Sequence, residues 1–174
     1  GDRKSMEMDV EGVYRIDAPG KVTRVLSRAQ VDRPNGLLVS PGDKFLYVAD
    51  NNNNNTGAAR KLWRFDLNKD GSIKERSRKL IHDWGDSRGP DGLEMDTKGR
   101  LFVAGGLNKP HPPHETDTKK GGVYVLSPKG KLLEFIPVPL DEVTNVAFGG
   151  ADMRTLYITA GGTVWSMRVK VPGR

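Results

Sequence analysis

From Asn35 to Asp50 the chain reads NGLLVSPGDKFLYVAD, from Asp91 to Gly106 DGLEMDTKGRLFVAGG, and from Thr144 to Ala160 TNVAFGGADMRTLYITA. Each copy has the same layout. A polar residue leads a short apolar run, a glycine-bearing turn follows, and a second apolar run rich in β-branched and aromatic residues closes the unit, which predicts a pair of strands. The leading residues Asn35, Asp91 and Asn145 recur about every 55 positions. A third strand is predicted after each pair, as KLWRFDL from Lys61, GGVYVLS from Gly121 and GTVWSMRV from Gly162, and an orphan third strand, EGVYRIDA, starts at Glu11. RSRKLIHD and KLLEFIPV supply fourth strands, and KVTRVLS from Lys21 completes the orphan.

Four short strands per repeat of this length predict an all-β chain built as a β-propeller. The units are the end of a blade over 12–28, a blade over 35–83, a blade over 91–139 and an incomplete last blade over 144–170, in one partial domain spanning 1–174. The turns SPGDK, NKDGS, DTKGR and SPKGK place glycine where tight hairpins need positive φ. An immunoglobulin-like sandwich also has short, evenly spaced strands, but it does not account for the internal copies. Propellers close with four to eight blades and this chain holds about three and a quarter, so the reading is a piece of a larger ring, with self-association as the other way to close it.

Composition narrows the chemistry. Cysteine is absent from the 174 residues, which removes disulfides, thiolate metal sites and cysteine nucleophiles. The net charge of +6 is scattered among acids, so no nucleic-acid partner is expected. No run approaches the ~20 apolar residues of a membrane span, and the opening residues hold no apolar run like that of a leader. The chain opens on Gly1, which fits a processed or truncated piece. A soluble protein is expected, in a compartment the sequence does not identify.

In a propeller the first strand of each blade lines the central channel, so Asn35, Asp91 and Asn145 are predicted to converge on the axis. Oxygen donors without cysteine or a histidine cluster suit a hard cation. Channel water is the alternative, and Asn-Gly and Asp-Gly are also ordinary turn dipeptides. Two long connections are expected over a channel mouth: 50–60, with Asn51 at its start, and 105–122, with His111 and His114. Both read as substrate-contacting segments or as solvated loops. His82 is expected at an outer strand, and Trp63, Trp165, Tyr14 and Tyr124 in packing between blades.

Taken together, RPNGLLVSPGDKFLYVAD, GPDGLEMDTKGRLFVA and VTNVAFGGADMRTLYITA resemble the C-terminal part of the gluconolactonase family, which includes regucalcin and is similar to diisopropylfluorophosphatase-type propellers. The resemblance implies a six-bladed parent that hydrolyses a lactone or sugar-acid substrate with a divalent metal in the channel, most often calcium, with magnesium, manganese or zinc as other occupants. It implies that Asn35 and Asp91 are metal ligands and that Asp91 is also the catalytic base or nucleophile, or a ligand only. Asn145 matches a channel-lining position. The family's early Glu-Gly-Pro and Asn-Asp motifs are missing, which leaves the activity of this chain alone open. Two rivals stay open as well: a phosphotriesterase-like or other ester hydrolase on the same scaffold, and a non-catalytic propeller that binds calcium or a partner protein.

Overall fold

The computed structural model describes residues 10–174; the opening stretch, residues 1–9, lies outside them. The described chain forms thirteen antiparallel strands in four sheets. β1 (Val13–Ala18) pairs with β2 (Lys21–Leu26). The second sheet runs β3 (Pro34–Val39), β4 (Phe45–Asn51), β5 (Arg60–Asp66) and β6 (Lys79–Asp83). The third runs β7 (Leu93–Met95), β8 (Leu101–Gly105), β9 (Gly122–Leu126) and β10 (Leu132–Pro137). The last has β11 (Val143–Gly149), β12 (Thr155–Ala160) and β13 (Thr163–Arg168). Two, four, four and three strands in consecutive meanders make a partial β-propeller, as the repeat predicts. The hairpin glycines Gly42, Gly71, Gly99 and Gly130 all take positive φ, between 68° and 90°. Among the described residues no helix is long and apolar enough to cross a membrane.

Strand alternation explains why the middle strands are apolar throughout. Successive side chains leave a strand on opposite faces, and here each face meets a different neighbouring sheet. On β4, Leu46 and Val48 pack towards the first sheet with Val13, Leu26 and Phe65, whereas Tyr47 and Ala49 pack towards the third with Leu101, Val103 and Trp84. On β8 and β9, Leu101, Val103, Tyr124 and Leu126 face the second sheet, while Phe102, Ala104, Val123 and Val125 face the fourth. Each buried Val, Leu or Phe contributes about 1.5–3 kcal/mol of burial free energy, so the interfaces between sheets hold the molecule together.

Trp84 is fully buried and stacks edge-on against His82 at 4.5 Å and Tyr124 at 5.3 Å. The Tyr124 hydroxyl donates to the Lys120 carbonyl at 2.7 Å, and burial pushes its pKa up to about 12. Burial among the rings, with Lys119 nearby, holds the His82 imidazole below its ordinary 6.5.

The inner strands meet through their glycines. Gly92 N–H donates to the Thr144 carbonyl at 2.8 Å, tying the start of β7 to β11. A Cβ on Gly92 would strike the Asn145 side chain, and a Cβ on Gly36 would strike the backbone carbonyl of Asp91. Neither glycine has positive φ, so both serve close approach of neighbouring strands rather than a turn. Gly36→Ala is expected to cost about 1–3 kcal/mol by overpacking against backbone that cannot step aside, read as a lower denaturation midpoint; an unchanged midpoint would contradict the close approach. His82 generates a second expectation. Its depressed pKa gives stability that is complete above about 6.5 and drains away as pH falls through the lower folded value. The acid-side fall in thermal midpoint should therefore be shallower in His82→Phe than in the parent.

Candidate functional site

Asn35 is the second residue of β3, and Asp91 lies two residues before β7. Because Gly36 lets the Asp91 backbone press against β3, Asn35 and Asp91 are neighbours, and the Asn35 amide helps to stabilise the Asp91 carboxylate. Asp91 is anchored from behind, its N–H donating to the Ala104 carbonyl at 2.9 Å. Burial pushes its carboxyl above the usual carboxylate range, and the Glu142 charge adds to that push. The Arg88 cation and the Asn35 hydrogen bond oppose it.

Arg88 organises the charges around this pair. Its guanidinium grips Glu142 with two parallel bonds, Nη1 to Oε1 at 2.9 Å and Nη2 to Oε2 at 2.8 Å, and reaches Glu115 Oε1 at 3.4 Å. The His111 Nδ1 stands 3.5 Å from Glu115 and 3.6 Å from Glu142. Asp141, the residue before Glu142, accepts the backbone N–H groups of Asn108 at 2.8 Å and Lys109 at 3.0 Å. The residues leading into β11 thus hold the long connection between β8 and β9 by their acids. His114 ties that connection to the one between β4 and β5: its Nδ1 lies 3.1 Å from Thr56 Oγ1, and its carbonyl accepts from the buried Arg60 at 3.0 Å.

These loops and β3 enclose a depression of about 440 Å³ lined by Arg33, Pro34, Asn35, Asn51, Asn53, Asn54, Arg88 and Glu115. Its wall is polar except for Pro34. The Asn51 and Asn53 Oδ1 atoms and the Arg88 Nε are buried with no hydrogen-bond partner. Such atoms mark a wall built for polar contacts rather than for packing.

The predicted residues take different places. Asn35 and Asp91 are brought together, and Asn51 lines the depression beside them. Asn145 accepts the Val146 N–H on its Oδ1 at 2.9 Å and stands over Gly92, exposed at the third position of β11. His111 joins the Glu115–Glu142 cluster, and His114 stitches the two loops. Arg88, Glu142 and Arg33 are absent from the sequence-based candidates. One signal could have found the arginines: both inner-strand motifs carry an Arg just upstream, as Arg33-Pro-Asn-Gly and Arg88-Gly-Pro-Asp-Gly. Glu142 has no such signal, because it meets Arg88 only across the sheet interface.

A carboxylate beside an amide oxygen, with no sulfur donor, fits a hard divalent cation. Among the described residues no group of three or more His, Asp and Glu side chains could hold a metal ion, so Asn35 and Asp91 fit as part of a ligand set rather than as a whole one.

The family described as the SMP-30/Gluconolactonase/LRE-like region matches residues 1–162. The chain is 31% identical over 173 residues to a gluconolactonase of Zymomonas mobilis, covering 96% of this chain and 43% of that protein. It is 31% identical over 178 residues to a 6-deoxy-6-sulfogluconolactonase of Pseudomonas putida, covering 92% and 54%, and 32% identical over 131 residues to the regucalcin of Sus scrofa, covering 75% and 38%. In structure it resembles a gluconolactonase from Xanthomonas campestris with a TM-score of 0.69 at 26% identity, over 97% of this chain and 46% of that one. The chain thus spans about half the length of the curated relatives it matches. The family match over residues 1–162, together with the repeated Asn-Gly and Asp-Gly at the head of two inner strands, places this chain in the SMP-30/gluconolactonase/LRE-like family.

Proposed function

We propose that the complete propeller hydrolyses a lactone at the Asn35–Asp91 pair. The observation that carries this reading is one amide and one half-buried carboxylate, brought side by side from neighbouring inner strands, with the amide lining a polar depression. The likeness to gluconolactonases supports the choice of a lactone or sugar-acid ester as substrate. Asn35 and Asp91 would hold a divalent cation, calcium before magnesium, manganese or zinc, together with oxygen donors from further blades.

When bound, that cation would supply Lewis-acid polarisation of the ester carbonyl and stabilise negative charge on its oxygen. Asp91 takes the proton from the attacking water. The water oxygen bonds to the carbonyl carbon, the ring C–O bond breaks, and the departing alkoxide regains a proton, which leaves an open hydroxy acid. Without a metal ion beside it, burial holds the Asp91 carboxyl above the ordinary carboxylate range. Arg88, held by Glu142 and Glu115, limits how far that effect goes and keeps the loop wall in place.

We also infer a ring closed by further blades, belonging either to the same polypeptide or to a second copy. Leu37 and Val39 on β3 are 47% and 51% exposed, and Val164 on β13 is 71% exposed. Apolar residues so placed on the inner and outer edges of a blade stack fit cover by neighbouring strands. The four sheets are, on this reading, consecutive parts of one propeller domain.

In the complete ring, Asp91→Asn should lower kcat on gluconolactone by about 10²–10⁴-fold, the usual reach of a lost general base, while the melting midpoint stays near that of the parent. Undiminished turnover in that variant would contradict the assignment.

A further inference from the structure

We propose that Arg33 is a specificity-determining residue that pairs with an anionic group carried by the lactone away from its ester carbonyl; this rests on the lactone reading above. Arg33 and Asn35 are two residues apart, with Pro34 between them opening β3. Both line the depression. The Arg33 backbone is fixed at each end, its N–H donating to Asp50 Oδ1 at 2.7 Å and its carbonyl accepting from Asn51 N at 3.0 Å. The root of the side chain is therefore anchored beside the proposed reaction centre.

The neighbouring charges are already engaged. Arg88 is neutralised by Glu142 and touched by Glu115, and the buried Asp50 accepts from the Asp32 and Arg33 backbones and from Trp63 Nε1. Among the described residues the Arg33 guanidinium has no ion-pair partner. The rest of the wall is Pro34 and the uncharged amides of Asn35, Asn51, Asn53 and Asn54. A free guanidinium flanked by amides presents a planar fork of donors that matches a carboxylate, sulfonate or phosphate. A neutral sugar lactone leaves that fork solvated. A lactone with an acidic terminus fills it.

The test is steady-state kinetics of the complete ring on a neutral aldonolactone and on lactones of the same ring size ending in a carboxylate or a sulfonate. The parent should favour the anionic lactones by about tenfold in kcat/KM, through KM rather than kcat, the value of one charge-assisted hydrogen bond. Arg33→Gln should erase that ratio, and Arg33→Lys should restore part of it; the carboxylate and sulfonate arms show which anion is read. Equal KM for neutral and anionic lactones in the parent, or a parallel loss on both in Arg33→Gln, overturns the role of Arg33 and leaves the lactone reading intact. Absence of turnover on every lactone overturns both. Calorimetry with an open-chain sugar diacid gives a readout independent of turnover. Salt-sensitive binding lost in Arg33→Gln supports the pairing, and binding unaffected by the substitution overturns it.

Discussion

The contact on which the rest depends is the close approach of neighbouring inner strands at Gly36 and Gly92. With no Cβ on Gly36, the Asp91 backbone rests directly against β3, and the same arrangement at Gly92 admits Asn145. A methyl group at either place would push adjacent sheets apart at the axis, where the side chains have to converge. The dipeptides Asn-Gly and Asp-Gly therefore carry two roles in sequence. The first residue offers an oxygen, and the second makes room for the next sheet to bring its own.

Away from the axis, the sheets are held by interfaces fed from alternate residues of the same strand. This two-sided burial makes β8 and β9 wholly buried, and it gives the inner strands a rigid backing against which Asp91 is anchored. The connection between β8 and β9 is held differently, by the acids that precede β11. Asp141 fixes the backbone at Asn108 and Lys109, and Glu142 fixes Arg88. Packing thus positions the Asn35–Asp91 pair, while hydrogen bonds and ion pairs position the wall around it.

Much of this was legible in the sequence because it repeats. The strand order and the hairpin glycines follow from alternation and turn chemistry, and Asn35 and Asp91 stand out as the leading residues of successive copies. The purpose of Gly36 and Gly92 was less legible, since a glycine after Asn or Asp reads equally as a turn residue and only the backbone conformation separates the two. Arg88 and Glu142 belong to no repeat and find each other across two sheets, so no local pattern announces the pair. His111 was visible as a candidate, but its carboxylate neighbour from the last sheet was not. Asn145 followed the repeat into the inner ring and turned its oxygen onto its own backbone.

The central claim is that Asn35 and Asp91 form one oxygen-donor pair able to hold a hard cation. Titration calorimetry of calcium into the complete protein tests it most directly, run beside Asp91→Ala and Asn35→Ala. A single calcium site is expected, lost in Asp91→Ala and weakened in Asn35→Ala. Calcium binding left unchanged by Asp91→Ala, or no binding by the complete protein, would contradict it.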